Sequence, residues 1–459
     1  MKRQAVILAA GEGTRMKSDL PKVLHRAAGI PMLNHVTNHA TQIGVEDLFV
    51  IVGHGAEAVS RSLPDNAKTV LQAEQKGTGH AVMCAMDQLD PEALILVLSG
   101  DAPLISAQTL EQLIQTHEQG NYSATVLSAN LEDPTGYGRV LRNESTCDLM
   151  GIIEEKDATP WQKSIKEINS GTYCFKGSAL LDILPKLSQD NAQQEYYLTD
   201  TLALLKKEDK TVGVCCIDNS DEIMAVNTRV QLAQVEAIFR KRINHRHMMN
   251  GVTMIHPENT YIDHNVVIGK DTVIEAGAII ECGTIIGENC HIGHNTRISD
   301  SFIESGVTIT SSTVISSRVG ERTTVGPYAY LRPGSCIGKR VRIGDFVEVK
   351  NSTIGDDSTS AHLAYIGDAK IGKNVNVGCG VVFVNYDGKK KHQTIVKDNV
   401  FVGSNSNLVA PVTVGENAFV AAGSTITEDV PAEALAIARS RQTNKEEWTG
   451  KADDKAVKS

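Results

Sequence analysis

The sequence has few aromatic side chains and no long apolar segment, and both features narrow its structural class. Aromatic residues make up 4% of the 459 residues, with 8 phenylalanines and 2 tryptophans against 38 glycines. This balance indicates many turns and few large core side chains. No apolar run approaches the roughly 20 residues that span a bilayer, and the run Ala5–Ala10 is too short for a signal peptide. We therefore expect a cytoplasmic protein with no membrane partner.

The chain also lacks an excess of basic over acidic residues and closely spaced cysteine pairs. The formal net charge is −10, which argues against a nucleic-acid partner because polyanion binding needs a basic face. The nine cysteines include no C-x-x-C pair, so reduced thiols are favoured over a disulfide framework or a zinc site. The chain is too long for one hydrophobic core, which predicts two or three domains.

Residues 1–229 alternate strand-like runs with helical patterns. The strand-like runs are "QAVILAA", "DLFVIVG", "TVLQA" and "ALILVLSGD", and a helical stretch carries Val36, Ala40 and Ile43 on one face. This alternation predicts an α/β domain with a parallel, doubly wound sheet. Ligands of such sheets bind beyond the carboxyl ends of the strands, where "LAAGEG" and "LSGD" lie.

The apolar period changes to six after a helical segment, residues 230–250, that we interpret as a linker. Three phased runs of aliphatic residues share this spacing: Ile268, Ile274, Ile280, Ile286, Ile292 and Ile298; Val319, Val325, Leu331, Ile337, Ile343 and Val349; and Val402, Leu408, Val414, Val420 and Ile426. The period predicts a left-handed parallel β-helix of hexapeptide repeats over residues 251–459. We expect its tail, after about residue 448, to be disordered.

The hexapeptide register breaks between Phe383 and Thr394, at "FVNYDGKKKHQT". A loop must leave the coil there, and insertions from a solenoid commonly build its binding face. A surface loop without function is the alternative, and the mixture of Asn385, Tyr386 and Asp387 with a basic run counts against it.

The stretch "VILAAGEGTRM" near the start of the chain raises the question of a phosphate site. It lacks the third glycine of a dinucleotide fingerprint and the Gly-Lys-Ser/Thr of a Walker A loop. Two cations, Arg15 and Lys22, follow the glycines. Backbone N–H groups of a glycine-rich turn bind anions, and nearby cations complete a polyphosphate site.

Motifs along nearly the whole chain point to one family. The first half contains "LAAGEGTRM", "LPKVL", "QAEQKGTGHA", "DPTGYGR", "GIIEEKDA", "EINSG", "NAQQEYYLTD" and "VNTR", and the second "LRPG", "VEVKNS", "AHLAYIGD", "VNYDG", "VGSNSNLVAPV" and "ALAIARSRQ". From about Ala5 to Gln442 the sequence resembles the bacterial bifunctional N-acetylglucosamine-1-phosphate uridyltransferase/glucosamine-1-phosphate N-acetyltransferase family. The resemblance implies a cytoplasmic homotrimer that makes UDP-N-acetylglucosamine for cell-wall polysaccharides.

The resemblance assigns a uridyltransferase site to the first half. It implies that UTP and the sugar phosphate are held by Leu8, Ala9, Ala10, Gly11, Lys22, Gln72, Gly77, Thr78, Gly138, Glu154, Asn169 and Asn227. Arg15 and Lys22 are implied to offset the charge of the leaving pyrophosphate, and Asp101 and Asn227 to bind Mg²⁺. Asp101 alone is equally compatible with capping of the helix that follows it.

The resemblance assigns an acetyltransferase site to the second half, with His362 as the general base. Imidazole titrates near neutral pH, although a lone histidine in a solenoid is more often a surface or packing residue. Arg332, Lys350, Tyr365 and Asn376 are implied to bind glucosamine-1-phosphate. Acetyl-CoA contacts are implied for Cys379, Asn385, Tyr386, Ser404, Ala422 and Arg439.

Two residues depart from the family pattern, and two alternatives stay open. Ser99 stands where relatives often have tyrosine, and Cys379 where they often have alanine. One alternative is a single-activity sugar-1-phosphate nucleotidyltransferase with a structural β-helix, against which His362 and the "VNYDG" loop count. The other is a non-catalytic regulatory relative, which would be expected to lack Lys22 or Asp101.

Overall fold

The computed structural model describes residues 1–143, 148–446 and 448, so the tail expected to be disordered lies outside the described residues. The chain divides into two compact units, Met1–Arg242 and Ile243–Ser459. No helix in the described part of the chain has the length and apolarity needed to cross a membrane.

Unit 1 is an α/β domain built on one mixed sheet. Its strands and helices are β1 Arg3–Leu8, β2 Arg26–Ala27, β3 Ile30–Pro31, α1 Met32–Gln42, β4 Asp47–Val52, α2 Ala56–Ser60, β5 Ala67–Leu71, α3 Thr78–Met83, β6 Leu94–Ser99, α4 Ala107–Gln119, β7 Ala124–Asn130, β8 Arg139–Arg142, β9 Leu149–Ile153, α5 Pro160–Lys163, β10 Glu167–Lys176, α6 Gly177–Ile183, α7 Asp200–Lys207 and β11 Val212–Ile217. Helix α8, Arg229–Met249, begins in unit 1 and extends past its last residue, Arg242. The strand order is β11-β7-β10-β6-β1-β4-β5, and β8 and β9 extend from β10.

Buried aliphatic side chains cover both faces of this sheet, which confirms the doubly wound prediction. Ala5 and Ile7 of β1 pack into one apolar cluster and Val6 into the other. The strands β5, β4, β1 and β6 are parallel, as predicted. The sheet is not entirely parallel, however, because β10 runs antiparallel to both of its neighbours, β6 and β7. In the chain, β10 follows the β8–β9 hairpin and the short helix α5.

Unit 2 is a left-handed parallel β-helix with three faces. The first face comprises β12 Thr253–Met254, β15 Val273–Ile274, β18 His291–Ile292, β21 Thr308–Ile309, β24 Thr324–Val325, β27 Arg342–Asp345, β30 Thr359–His362, β33 Asn376–Val377, β36 Phe401–Val402, β39 Phe419–Val420 and β41 Leu435–Ala436. The second comprises β13 Tyr261–Ile262, β16 Ile279–Ile280, β19 Arg297–Ser299, β22 Thr313–Ile315, β25 Tyr330–Leu331, β28 Glu348–Lys350, β31 Tyr365–Gly367, β34 Val382–Val384, β37 Asn407–Val409 and β40 Thr425–Ile426. The third comprises β14 Val267–Ile268, β17 Ile285–Ile286, β20 Phe302–Ile303, β23 Arg318–Val319, β26 Cys336–Ile337, β29 Thr353–Ile354, β32 Ala369–Ile371, β35 Thr394–Val396 and β38 Val412–Val414.

The period-six residues point into the prism, as the sequence predicted. Ile274, Ile280 and Ile298 are fully buried, whereas the residue before each of them faces outward. From β12 to β37, each strand pairs in parallel with the strand three positions later, which is one coil of the helix, and β39 pairs with β41. The coil also continues between the first two runs, through Ile303, Ile309 and Val314. The six-residue period is lost there because some edges are one residue shorter.

A loop interrupts the coil where the sequence predicted it. β34 ends at Val384 and β35 begins at Thr394. Within the loop, Asp387 accepts hydrogen bonds from the backbone N–H groups of Lys389 and Lys390, both at 2.7 Å. These bonds give the loop a defined turn.

Candidate active sites

The glycine-rich turn leaves the carboxyl end of β1 and is fixed by the neighbouring strand ends. Ala9 donates its N–H to Ile51 at 3.0 Å, and Gly100 donates to Leu8 at 3.0 Å. Gly13 has a φ of 64°, and a Cβ there would lie 2.6 Å from Cβ of Lys22. A side chain at Gly13 would therefore push Lys22 away from the turn. Arg15 lies on the short 3₁₀ turn that follows, and it is exposed.

Lys22, Asp101 and Asn227 come together in space although they are far apart in sequence. The Lys22 ammonium forms an ion pair with Asp101 and donates to Oδ1 of Asn227 at 3.1 Å. The N–H of Val226 donates to the Asp101 carbonyl at 2.9 Å, which ties the two loops together. Two oxygens thus converge on one cation, as the predicted pairing of Asp101 with Asn227 requires.

These oxygens fit a magnesium ion that takes most of its ligands from elsewhere. Within the described residues no group of three or more His, Cys, Asp or Glu side chains could hold a metal ion. Mg²⁺ commonly takes one or two protein oxygens and completes its shell with phosphates and water. One carboxylate and one amide oxygen therefore suit Mg²⁺ and do not suit zinc.

A cleft of about 550 Å³ lies beside the turn and is lined by Glu12, Gly53, His54, Leu71, Gln72, Ala73 and Gln75. Gln72 is buried, and its Nε2 donates to the Gly77 carbonyl at 3.2 Å. Gly77 has a φ of 105°, and a Cβ there would lie 2.6 Å from the Tyr196 carbonyl oxygen. Thr78 accepts the N–H of Leu198 at 3.1 Å. The three residues predicted to contact uracil are thus packed together.

Gln75 is a cleft residue that the sequence interpretation missed. Its Nε2 donates to the Ala10 carbonyl at 2.7 Å, which links the cleft wall to the glycine-rich turn. Its position in "QAEQKGTGHA", three residues after Gln72, was the available signal.

The residues predicted to hold the sugar also form one cluster. Asn169 donates its N–H to the Gly138 carbonyl at 2.8 Å, and a Cβ on Gly138 would lie 3.3 Å from Oε2 of Glu154. Thr199 donates to the other oxygen of Glu154 at 3.3 Å, and the amide of Asn169 donates to the Tyr173 hydroxyl at 2.8 Å. Burial raises the pKa of Glu154, so its carboxylate gains from any hydroxyl that donates to it.

A buried arginine supports this cluster from behind. The side chain of Arg139 is 1% exposed and pairs with Glu155 at 2.7 Å. It also donates to the carbonyls of Tyr137 and, at 3.3 Å, of Lys163. Because Arg139 and Glu155 each follow a predicted sugar-contacting residue, their ion pair holds the two segments in register. Sequence interpretation missed this pair.

Ser99, the first departure from the family pattern, lies at the end of β6. Its hydroxyl is 3.2 Å from where a Cβ on Gly171 would lie, in a bulge of β10 between Asn169 and Tyr173. A small side chain therefore faces the bulge that carries Asn169.

In unit 2, four predicted acetyltransferase residues occupy successive coils at one corner of the β-helix. His362, Cys379, Ser404 and Ala422 each precede the residue that turns from the first face to the second. The corner is joined from coil to coil by backbone hydrogen bonds: Leu363 N to Asp345 O, Gly380 N to Leu363 O, Asn405 N to Cys379 O and Gly423 N to Ser404 O. Arg439 continues the row, with its Cδ 3.8 Å from where a Cβ on Gly423 would lie. We call Asp345, His362, Cys379, Ser404 and Ala422 the corner row.

Asp345 begins this row and was missed by the sequence interpretation. It pairs with His362 in the register of β27 and β30, and its Oδ1 lies 2.6 Å from Nδ1 of the imidazole. The hydrogen bond from His362 lowers the pKa of Asp345, so the carboxyl group is ionised at neutral pH. The 17-residue separation, one short coil, was the signal that could have found it.

The predicted phosphate-binding residues lie on the second face. Arg332 pairs with Glu348 at 2.7 Å, and Lys350 lies 3.6 Å from Asp368. Asn385 donates to Asp368 at 2.6 Å, and its amide nitrogen is 3.4 Å from the Tyr365 hydroxyl. The structure thus groups Asn385 with Arg332, Lys350 and Tyr365.

The loop adds a further cation, Lys391, to this face. The adjacent Lys350 ammonium lowers the pKa of Lys391. Burial raises the pKa of Asp368, but hydrogen bonds from Asn351 and Asn385 outweigh it and bring the pKa below its usual value. Two ammonium groups held beside one carboxylate leave an excess of positive charge, which suits a phosphate dianion.

The remaining predicted residues are not brought to this cluster within the chain. Asn376 lies on β33 of the first face, between Thr359 and Phe401. Tyr386 is exposed, and its hydroxyl donates to the Gly388 carbonyl at 2.7 Å. The first and second faces meet at the corner row. His362 ends a strand of the first face, and Tyr365, three residues later, begins a strand of the second.

Comparison with known proteins finds one family model within unit 1 and two within unit 2. Residues 5–196 match the MobA-like NTP transferase domain, residues 245–349 the EIF2B subunit epsilon LbH domain, and residues 393–428 the bacterial transferase hexapeptide (six repeats). Proteins named "Bifunctional protein GlmU" match nearly end to end. The one from Alkaliphilus metalliredigens is 57% identical over 451 residues, 98% of this chain and 99% of the relative. That from Alkaliphilus oremlandii is 58% identical, with 98% of each chain covered, and that from Clostridioides difficile is 52% identical, with 99% of each covered.

Proposed function

This chain belongs to the family of bifunctional GlmU proteins, and we propose on that premise that its two units catalyse successive steps. Unit 2 transfers acetyl from acetyl-CoA to glucosamine-1-phosphate. Unit 1 then transfers uridylate from UTP to the N-acetylglucosamine-1-phosphate, releasing pyrophosphate and UDP-N-acetylglucosamine for cell-wall synthesis. The observation that carries the proposal is the presence of two separate side-chain groups, Lys22–Asp101–Asn227 and the corner row, in one chain.

The uridyl transfer joins two anions, so positioning and charge neutralisation are the main tasks of unit 1. The sugar phosphate oxygen attacks the α-phosphorus of UTP, and the bond to pyrophosphate breaks. Arg15 and Lys22 offset the charge of the phosphates, and Leu8, Ala9, Ala10 and Gly11 contact the nucleotide through their backbone. The sugar is held by Gly138, Glu154 and Asn169, and uracil by Gln72, Gly77 and Thr78.

Mg²⁺ would be held by Asp101 and Asn227, whose oxygens already converge on the Lys22 ammonium. When bound, it supplies further neutralisation of phosphate charge.

The acetyl transfer needs a neutral amine. The amine nitrogen of glucosamine-1-phosphate attacks the thioester carbonyl while His362 accepts a proton from that amine. The C–N bond forms and the C–S bond breaks. The coenzyme A thiolate leaves and takes up a proton. Arg332, Lys350 and Lys391 hold the sugar phosphate beside Tyr365 and Asn385. Cys379, Ser404 and Ala422 of the corner row, together with Arg439 and Tyr386, line the path of acetyl-CoA.

A trimer accounts for the residues that a single chain keeps apart. Asn376 lies on the first face and Arg332 on the second. Hexapeptide enzymes form active sites between subunits, and we propose a homotrimer in which Asn376 joins a neighbour's sugar site. We also propose that the enzyme works in the cytoplasm, where its phosphorylated substrates are found.

The two alternative functions are less well supported. A regulatory relative would have no use for Lys22 held between Asp101 and Asn227. A nucleotidyltransferase with a structural β-helix would not need a histidine–carboxylate pair beside a cluster of cations. The match of residues 245–349 to the EIF2B subunit epsilon LbH domain ends before His362, so it does not include the proposed catalytic base.

The test separates the two activities in one protein. Purified enzyme is given glucosamine-1-phosphate, acetyl-CoA, UTP and Mg²⁺, and thiol and pyrophosphate release are followed independently. We expect Asp101→Ala to abolish pyrophosphate release and leave acetyl transfer unchanged. Normal uridyl transfer by this variant at limiting Mg²⁺ would remove Asp101 from the metal site.

The complementary variant is His362→Ala. We expect acetyl transfer to fall by about 10²–10⁴-fold, the usual effect of losing a general base. Uridyl transfer from supplied N-acetylglucosamine-1-phosphate should be unchanged. A loss below tenfold at every pH would make His362 a packing residue.

A further inference from the structure

The pairing of Asp345 with His362 is held in place by the backbone around it. Gly344 lies so close to the next coil that a Cβ on it would be 1.9 Å from the Ala361 carbonyl oxygen. The N–H of Leu363 donates to the Asp345 carbonyl at 2.9 Å. The two side chains therefore leave adjacent, closely spaced strands at the same register position.

We propose that Asp345 is the positioning residue for His362 in acetyl transfer, accepting the Nδ1 proton and leaving Nε2 free to take the proton of the substrate amine. This inference rests on the proposed role of His362 as the base. A neutral imidazole has one protonated nitrogen, and a carboxylate at Nδ1 fixes which one it is. The same carboxylate stabilises the imidazolium that forms when the amine loses its proton.

The surroundings of the pair favour this role over a simple surface ion pair. Three charged or titratable residues on the neighbouring coils matter here: Asp345, paired with His362 in register; Arg342 on the same strand β27, which acts on Asp345; and Cys379, at the corner position of the next coil. Of these, only Asp345 is within hydrogen-bonding distance of the ring in the contacts described. The pair also begins the corner row, whose later members are proposed to line the path of acetyl-CoA.

The chain supplies a matched control for a coil-to-coil carboxylate pair. Asp357 pairs with Arg340 at 2.6 Å across the same two coils, at a different corner and with similar exposure. Asp357→Ala thus reports the general effect of removing a carboxylate from this part of the β-helix.

The experiment measures acetyl transfer by the full-length enzyme across pH, with uridyl transfer as an internal measure of intact protein. For Asp345→Ala we expect kcat to fall by about 10–10²-fold, by analogy with the loss when the hydrogen-bond partner of a metal-bound histidine is removed. The KM values for both substrates should change little. The acidic limb of the pH–rate profile should move to lower pH, because the cationic ring loses its carboxylate partner. Asp357→Ala should match the parent.

Asp345→Asn keeps the shape of the side chain and covers the case in which the alanine variant folds poorly. Its amide can donate to Nδ1 and so favours the unproductive tautomer, so we expect a comparable loss of kcat. In a His362→Ala background neither substitution should reduce acetyl transfer further, because Asp345 acts through the imidazole.

Three results would overturn the proposal. These are a loss below twofold in both Asp345 variants, an unchanged acidic limb, or a further loss in the His362→Ala background. Each differs from failure of the proposed function, in which His362→Ala alone would retain acetyl transfer.

Discussion

The first half of helix α8 should be needed for the stability of unit 1. Phe239 stacks on His35 with ring centroids 4.2 Å apart, and Val235 is fully buried. Glu236 accepts the N–H of Ala28 at 2.7 Å, and Arg242 donates to the Leu104 carbonyl at 2.7 Å. A fragment of residues 1–229, which corresponds to the uridyltransferase domain as predicted from the sequence, lacks all of these contacts.

The size of the effect follows from the burial of two side chains. Burying a large aliphatic or aromatic side chain contributes about 1.5–3 kcal/mol, so losing Val235 and Phe239 costs about 3–6 kcal/mol. That is a large part of the total stability of about 5–15 kcal/mol that is typical of a domain. We therefore expect residues 1–229 to unfold at a much lower urea concentration than residues 1–242.

The assay compares the two fragments in urea by circular dichroism and by pyrophosphate release. Neither should transfer acetyl, because the β-helix is absent from both. Within residues 1–242, Phe239→Ala should cost about 3–5 kcal/mol, and Val230→Ala, at a position 70% exposed, should cost little. Equal urea midpoints for the two fragments would refute the reasoning.

Two further predictions concern single side chains. If the Cys379 thiol lines the acetyl-CoA path, a small maleimide should inactivate acetyl transfer before uridyl transfer, acetyl-CoA should protect, and Cys379→Ala should be resistant. Equal sensitivity of variant and parent would place the reactive thiol elsewhere. Hydrogen bonds from Gln4 and then Lys2 lower the pKa of Asp47 to about 2. Its stabilising effect should therefore be complete above the unfolded pKa of roughly 3.9 and be lost as the pH falls through about 2. Urea unfolding of residues 1–242 should show Asp47→Asn destabilised at pH 7, with the difference from the parent shrinking as the pH falls towards about 2; a constant difference would contradict this.

Much of the fold could be predicted because its signals are local and repeated. A buried aliphatic residue at every sixth position, such as Ile274 and Ile280, leaves one arrangement in which all of them point inward. The alternation of apolar strands and helices likewise gave the doubly wound unit. The antiparallel direction of β10 could not be predicted from this alternation, because a buried strand has the same apolar composition in either direction.

The side-chain partners depend on the number of residues in each coil. Asp345 precedes His362 by 17 residues because that coil has one short edge, and a strict period of 18 would pair His362 with Gly344. Arg139 and Glu155 find each other across a hairpin whose register no local pattern specifies. Lys391 reaches Lys350 only through the fold of its loop.

The corner row also fixes distances along the axis of the β-helix. In sequence its members from His362 onward are 17, 25 and 18 residues apart, yet each step is one coil, or about 4.8 Å. The loop of residues 385–393 absorbs the extra residues of the longest interval. The span from His362 to Ala422 is therefore set at about 14 Å by counting coils. If acetyl-CoA lies along this row, as proposed, removing a single coil would shorten its path in one discrete step of about 4.8 Å.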